Sequence, residues 1–342
     1  MTAGSFANIG SDCSTDEDGI ATSLGLTPGS LVVSKERTYV LEKLLGEGGF
    51  GAVFKVRDKD SEKQKYALKV EARQARQHNK LKMEIDILKR VSQARAGSSH
   101  FTKIVDYGKH KELYVFVVME LVGRSLSDLK DLCKDRIFPL ATGLSVSKQC
   151  LEALQDLHAQ KYLHRDLKPA NYAVGRGSKR RQIFLLDFGI ARRFVNSDGQ
   201  LKTPRATVNF KGTVRFASLN CHRNVEMGCK DDCESWFYLM LDLIVRGGLP
   251  WKRMEAKADV LKAKEECRNE KKDRLVKGLS CGDVLNGILK YIDSLKYEDG
   301  VDYDYIYHEL DRSATLCNVN MSDPYPWENS ADDKYATRTD EK

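Results

Sequence analysis

His164-Arg165-Asp166-Leu167-Lys168-Pro169-Ala170-Asn171 places a carboxylate, an ammonium, an amide and a rigid proline within eight residues. Asp166 can accept or orient the proton of a hydroxyl. Lys168, two residues on, can set a positive charge beside a phosphate. Asn171, five after Asp166, can offer a neutral oxygen to a magnesium ion, a hard cation that prefers oxygen ligands. Pro169 fixes the backbone between them. A polar surface turn is the bland alternative, but it does not need so many specified positions.

Working outward, Val146, Cys150, Leu154 and Leu157 recur at helical spacing and predict a long buried helix leading into this loop. Beyond it, Ile183-Phe184-Leu185-Leu186 predicts a strand ending in Asp187-Phe188-Gly189, where Asp187 supplies a second hard oxygen. Arg192 to Arg215 is basic and poor in large apolar residues. Asp232 to Val245 predicts a buried helix, followed by Gly247, Gly248 and Pro250-Trp251. Lys252 to Lys272, Cys281 to Lys296 and Tyr303 to Asp311 predict further helices.

Toward the N-terminus, Leu41 to Val56 reads as two strands around Gly46-Glu47-Gly48-Gly49-Phe50-Gly51-Ala52-Val53. Gly-x-Gly-x-x-Gly alone is a weak signal. A dinucleotide fingerprint is the rival, and Glu71 even lies 20 residues past Gly51. That fingerprint needs a helix directly after the glycines, whereas Val53, Phe54 and Val56, then 58–65, read as strand and turn. Glycines between two strands suit a flap whose amides lie over phosphates. Tyr66 to Val70 is the next strand, with Ala67 and Lys69 on one face. Lys80 to Val91 is helical with Leu81, Ile85 and Leu88 on one stripe, and Glu84 falls on that inward stripe. A carboxylate on a buried face needs a partner, and Lys69 is the candidate. At ~4 Å and an effective dielectric of ~20 such a pair is worth ~4 kcal/mol before desolvation. Lys103 to Tyr107 and Leu113 to Leu121 flank Gly108 as a hairpin, with Val115, Val117 and Met119 on one face.

At 342 residues the chain can bury a large core, and its 31% charged and 41% hydrophobic residues suit a soluble globular protein. No uninterrupted apolar run reaches ~18 residues, so no spanning helix is expected. The first residues lack the basic and apolar regions of a secretory signal. The nine cysteines include no Cys-x-x-Cys pair, and Cys229 and Cys233 lack the second pair a zinc site would need. Reduced thiols are expected. Net charge is +7; residues 1–20 contribute −4 and residues 328–342 contribute −2, which leaves +13 on residues 21–327. Such a basic domain implies anionic partners. Lys179-Arg180-Arg181 invites a nucleic-acid reading, but no recognition fold or interleaved aromatic platform accompanies it. A solvated basic face, with no specific nucleic acid, is the expectation. Residues 1–35, rich in Ser, Thr, Gly and Asp, are expected to form a disordered leader. Lobes are expected over 36–123 and 124–320, and a largely disordered tail over 321–342.

Taken together, residues 38–315 resemble a eukaryotic protein kinase. His164 to Asn171 matches the catalytic loop, Asp187-Phe188-Gly189 the metal-binding motif, and the glycine flap and Lys69 the nucleotide-binding strands. The resemblance implies an α+β, bilobal fold, a five-stranded sheet with one helix above a mainly helical lobe. It implies Asp166, Lys168 and Asn171 as catalytic residues, with Asn171 and Asp187 on magnesium. It places ATP among Gly46, Gly48, Gly51, Val53, Ala67, Lys69, Glu84, Met119, Glu120, Val122 and Asp187, the segment 120–123 being the hinge whose backbone pairs with adenine.

Departures from the general pattern narrow the resemblance. No Ala-Pro-Glu closes the segment after Arg192. Gly212-Thr213-Val214-Arg215-Phe216-Ala217-Ser218-Leu219-Asn220 stands there, similar to the casein kinase one superfamily, as are Asp231 to Tyr238 with Phe237 and Leu249-Pro250-Trp251. Asn171 to Gly175, Asn224 to Gly228 and Asp323-Pro324-Tyr325-Pro326-Trp327-Glu328 look most like tau-tubulin kinases, while Cys221, Cys229 and Cys233 depart from that group. This resemblance implies serine or threonine protein substrates, acidic or already phosphorylated, met by an anion pocket of Arg215 with Lys211, Lys252 and Arg253. It also implies an activation segment held without phosphate on Thr203, Thr207 or Thr213, although Arg165 precedes Asp166. A monomer is expected, in the cytoplasm with the nucleus also open to it. A pseudokinase scaffold would break Lys69, Asp166, Asn171 or Asp187, and all four are intact.

Overall fold

Strand alternation shapes the first part of the chain. The computed structural model describes residues 19–48, 51–73, 80–94, 99–111 and 113–328. A short helix α1 (Ile20–Ser23) and β1 (Leu31–Val33) precede β2 (Thr38–Gly48), β3 (Gly51–Asp58) and β4 (Ser61–Ala72). Along β3 half-buried and buried residues alternate, which sends Ala52, Phe54 and Val56 inward. The antiparallel register sets Gly46 against Val53 and Gly48 against Gly51. The glycines therefore lie on a strand-to-strand hairpin, as their flanking residues predict and as a dinucleotide turn does not allow. Its tip, Gly49 and Phe50, lies outside the described residues.

Helix α2 (Lys80–Ala94) follows, then β5 (Ile104–His110) and β6 (Tyr114–Glu120). The sheet has six strands in the order β1-β2-β3-β4-β6-β5, one more than expected. The extra strand is β1, whose Leu31, Val32 and Val33 pair with Val40, Tyr39 and Thr38. Residues 19–35 are thus folded rather than part of a disordered leader. Ala21, Leu26 and Val32 are buried anchors that an averaged composition conceals. Residues 1–18 lie outside the described residues.

The chain divides into two compact units, residues 1–75 with 108–116, and residues 76–107 with 117–342. This division assigns α2 to the second unit instead of to a lobe spanning 36–123. Along α2, Leu81, Glu84, Ile87, Leu88 and Val91 are buried and Ile85 only half-buried, so the inward stripe keeps Leu81, Glu84 and Leu88 and takes Ile87 in place of Ile85.

The rest of the second unit is mainly helical, which makes the chain α+β. It runs through α3 (Leu126–Asp131), α4 (Leu140–Ala159), β7 (Tyr162–Leu163), β8 (Tyr172–Val174), β9 (Ile183–Leu185) and β10 (Arg192–Arg193). It continues with α5 (Leu219–His222), α6 (Cys229–Ile244), α7 (Lys257–Glu266), α8 (Gly282–Ser294) and α9 (Tyr303–Leu316). Helix α6 is buried from Lys230 to Ile244. It packs on α4 where Gly143 allows close approach; a Cβ there would overlap the Ile244 side chain. Helix α7 starts five residues later than expected, because turns at Lys252 and Met254 return to Leu249 and Trp251. The strands that frame the loop pair antiparallel, β10 with β7 and β8 with β9.

The tail corrects a second expectation. Residues 321–328 pack onto the second unit instead of being disordered, with Tyr325 1% and Trp327 7% exposed. Tyr325 Oη lies 2.8 Å from Ser145 Oγ and accepts from Gln149 Nε2 at 2.9 Å. Trp327 Nε1 donates to the Arg180 carbonyl, and Arg181 lies 4.3 Å above the Tyr325 ring and pairs with Glu328 at 2.8 Å. Lys179 pairs with Glu120. The basic run 179–181, expected to be solvated, thus serves mainly as a clasp: large aromatic side chains carry enough apolar area to order the segment that bears them. Residues 329–342 lie outside the described residues. Among the described residues no helix is long and apolar enough to cross a membrane, and eight of the nine cysteines are free thiols.

Candidate active site

One buried carboxylate fixes the 164–171 loop from beneath. Asp232, in the first turn of α6, accepts the His164 amide at 2.7 Å, the Arg165 amide at 2.9 Å and His158 Nε2 at 2.9 Å. Burial opposes its charge, but His158, His164 and the Arg165 amide outweigh that and hold the carboxyl below its usual range. Burial also disfavours the His158 imidazolium, yet Cys229 and Asp232 push it up to about 10. The sequence reading names Asp232 as the start of a buried helix and within a family motif, but gives it no role. The available signal was a pair of adjacent acids, Asp231-Asp232, opening a helix that is otherwise apolar, since buried carboxylates need partners.

The loop is tied to the strand that ends at Asp187. His164 Nδ1 accepts the Asp166 amide at 3.2 Å and its Nε2 donates to the Leu186 carbonyl at 3.1 Å, which fixes the tautomer. The Leu186 amide donates back to the Asn171 carbonyl at 2.8 Å. Phe188 is buried, its ring 5.5 Å from His164. Arg165 and Asp187 both hold left-handed backbone, with φ of 70° and 63°. For non-glycine residues this conformation costs on the order of 1–3 kcal/mol and persists only where neighbours enforce it. At Arg165 the neighbours are Asp232 and the Ile190 carbonyl, which accepts its Nε at 2.7 Å.

Asp166 stands at the centre of a closed polar network. Its Oδ2 accepts Lys168 Nζ at 2.8 Å and its Oδ1 accepts the Thr213 hydroxyl at 2.7 Å. Lys168 Nζ also reaches Thr213 Oγ1 at 3.1 Å. Asn171 Nδ2 donates to the Asp166 carbonyl at 2.8 Å. That bond turns the amide nitrogen inward, so the amide oxygen is the atom Asn171 can offer a cation. Gly212 makes the approach of Thr213 possible. Its φ is +98°, and a Cβ there would overlap the Arg165 carbonyl. Thr213 enters the sequence reading only within a family motif and as a candidate phosphorylation site, yet it belongs to this network.

Asn171 and the exposed Asp187 offer hard oxygens suited to magnesium. Among the described residues no three His, Cys, Asp or Glu side chains form a metal cage.

The other expected nucleotide residues fall as follows. Gly46, Gly48, Gly51 and Val53 lie on the β2–β3 hairpin, and buried Ala67 and half-buried Lys69 on β4. Glu84 is 3% exposed on α2, on the inward side its spacing predicts. Met119 is buried at the end of β6, its sulfur accepting the Thr102 hydroxyl at 3.4 Å. Glu120 donates its amide to the Lys103 carbonyl, and half-buried Val122 precedes Gly123, whose amide bonds Val174.

The protein kinase domain family matches residues 39–279. The chain belongs to that family. A probable serine/threonine-protein kinase of Dictyostelium discoideum is 33% identical over 306 residues, covering 89% of this chain and 59% of the relative. The chain therefore spans about three-fifths of that relative's length. A putative serine/threonine-protein kinase of Caenorhabditis elegans is 35% identical over 298 residues, covering 85% of this chain and 82% of the relative. The serine/threonine-protein kinase spe-6 of the same organism is 30% identical over 301 residues, covering 87% and 77%.

Within this kinase domain two basic clusters flank the 164–171 loop. In the first, buried Glu226 accepts Arg205 Nε at 2.6 Å and Nη2 at 3.1 Å, and pairs with Arg192 at 3.5 Å. Burial works against the Glu226 charge, but Arg205 and Arg192 hold its carboxyl below the usual range. Burial pushes the Arg165 guanidinium down, Arg192 adds to this, and Asp232 and Glu226 oppose it. In the second, Arg215 Nη2 donates to the Lys252 carbonyl at 2.9 Å, and Trp251 Nε1 donates to the Arg215 carbonyl at 2.8 Å. Arg215 and Lys252 are thus brought together, with Lys211 and Arg253 exposed on the surface.

Proposed function

We propose that this kinase transfers the γ-phosphate of magnesium-ATP to serine or threonine hydroxyls of proteins, with preference for acidic or phosphorylated sequences. The observation that carries the reading is the network in which Lys168, Thr213 and Asn171 hold Asp166. Asp166 takes the proton of the acceptor hydroxyl as that oxygen bonds to the γ-phosphorus, the bond to the bridging oxygen breaks, and ADP leaves. Lys168 sits where it can offset the charge of the transferred group. Asn171 and Asp187 would hold the magnesium, which neutralises phosphate charge when bound. By the family resemblance Lys69, Gly46, Gly48 and Gly51 are assigned to the nucleotide phosphates and 119–122 to the base. The Gly212 to Asn220 stretch and the tail motif support placement with the casein kinase one superfamily, nearest the tau-tubulin kinases. A monomer working in the cytoplasm fits this reading.

Activity without activation-segment phosphate is the first expected result. In kinases that need that phosphate, it neutralises arginines around the catalytic loop. Here the buried carboxylate of Glu226 supplies a negative charge to Arg205 and Arg192 and faces Arg165 electrostatically. Phosphatase-treated protein, with Thr203, Thr207 and Thr213 shown unmodified by mass spectrometry, should keep its activity. Loss of activity under that treatment would contradict the role given to Glu226.

Substrate choice is assigned to Arg215 with Lys252 or Arg253. An arginine fork can make two charge-assisted bonds to one phosphate. Losing one charged hydrogen bond is worth ~1.5–3 kcal/mol, so Arg215→Ala should lower kcat/KM at least about tenfold. The loss should fall on peptides with a phosphoserine or acid near the target and spare matched neutral ones. Lys252→Ala should act in the same direction. Equal losses on both peptides would mean structural damage, and no loss on either would exclude an anion pocket here.

A further inference from the structure

Lys264 on α7 is 0% exposed. Its ammonium donates to the Val214 carbonyl at 3.2 Å and the Ala217 carbonyl at 2.5 Å, with His222 Nε2 3.1 Å away and itself 3.2 Å from the Val214 carbonyl. The faces of Tyr238 and Trp251 close over it, 4.7 and 5.3 Å from the nitrogen. Glu234, the nearby carboxylate, is already engaged by Arg268, Tyr238 and the Leu219 amide. A buried ammonium with no carboxylate of its own costs stability that an apolar side chain would not.

What the lysine holds is the loop beside the catalytic aspartate. Val214 and Ala217 bracket Arg215 and Phe216, and the residue before them, Thr213, bonds Asp166. We propose that Lys264 is a positioning residue for the protein substrate: its buried ammonium clamps Val214 and Ala217 so that Arg215 and Thr213 face the bound peptide. This rests on Arg215 meeting the substrate's negative charge. Nucleotide binding lies outside the clamp's reach.

The clamp carries its own pH signature. Burial pushes Lys264 down to about 7, Glu234 opposing this and Arg268 adding to it. The other titratable groups facing it are Cys221, which burial pushes up, His222, which burial pushes down to about 4, and Tyr238, which burial raises. None of these gains or loses charge between about pH 6.5 and 8.5. Loss of the Lys264 proton therefore weakens the hold on the two carbonyls as pH rises through about 7. Stability moves the other way. The folded value of about 7 lies below the unfolded value of 10.5, so between them the folded chain binds fewer protons and stability rises with pH. A merely structural lysine would move peptide affinity and stability together.

The test measures KM for an Asp/Glu-rich acceptor peptide and for ATP from pH 6 to 8.5, with the unfolding midpoint at each pH. It uses wild type, Lys264→Met and Arg215→Ala. In wild type the peptide KM should rise several-fold through about pH 7 while the ATP KM stays flat. Lys264→Met should start about tenfold higher in peptide KM and lose the step near pH 7. The stability of wild type relative to Lys264→Met should rise over the same range. A variant with wild-type peptide KM and an unchanged pH step overturns the proposal, as do peptide and ATP KM rising in parallel. If Lys264→Met does not fold, a wild-type peptide KM that is flat through pH 7 overturns it alone. A silent Arg215→Ala beside a raised peptide KM in Lys264→Met removes the anion pocket on which the proposal rests, and a raised peptide KM in Arg215→Ala beside a silent Lys264→Met removes the clamp alone.

Discussion

Replacing Asp232 with alanine is expected to cost about 3–5 kcal/mol of stability, the range for stripping one partner from a buried charge pair. Three donors lose their acceptor at once: the His164 and Arg165 amides and the His158 imidazolium. None can turn to water, since His158 and His164 are buried and Arg165 is held in left-handed backbone. Against a typical total of 5–15 kcal/mol the loss is large. Denaturant unfolding should show the midpoint falling with little change in slope. The difference should also depend on pH. His158 has a folded value of about 10 against an ordinary value of 6.5. Its contribution is therefore complete below about pH 6.5 and declines as pH rises toward 10, so the gap between wild type and Asp232→Ala should narrow over that window. A loss below about 1 kcal/mol would mean that the loop does not depend on this carboxylate.

Asp166→Asn is expected to lower turnover at least ~100-fold, the lower end for a positioned acid–base group. The substitution keeps the shape of the side chain and an oxygen for Thr213, so the loop should hold its form. What it removes is the negative charge beside Lys168 and the site that accepts the hydroxyl proton. Because Asp166 acts on the acceptor hydroxyl, nucleotide affinity should change little. Steady-state rates with a peptide acceptor, set beside a direct nucleotide-binding titration, separate the two effects. Turnover near the wild-type level would remove Asp166 from the mechanism.

The centre of this site was legible in the sequence because its chemistry is local. Asp166, Lys168 and Asn171 fall within six residues, so residue type and spacing state their roles together. Period and spacing also exposed the glycine hairpin, the inward face of Glu84 and the long buried helices. The supporting groups were hidden by distance along the chain. Asp232 meets the loop from 68 residues away, Thr213 meets Asp166 across 47 and Lys264 meets Val214 across 50. No local pattern marks a carboxylate or ammonium as satisfied by backbone groups that only the fold brings near. The segments misjudged as disordered, 19–35 and 321–328, share one cause. A few buried anchors, Ala21, Leu26 and Val32 at one end and Tyr325 and Trp327 at the other, outweigh a polar composition once a partner surface exists.

The most direct measurement is transfer of labelled γ-phosphate from magnesium-ATP by the purified full chain to a library of serine- and threonine-containing peptides, with some members already phosphorylated. The account predicts label on serine or threonine hydroxyls, enriched on acidic and phosphorylated members and lost in Asp166→Asn. Nucleotide binding with no label on any peptide or on the protein itself would contradict it, and would make the intact catalytic loop part of a binding scaffold rather than of a phosphotransferase.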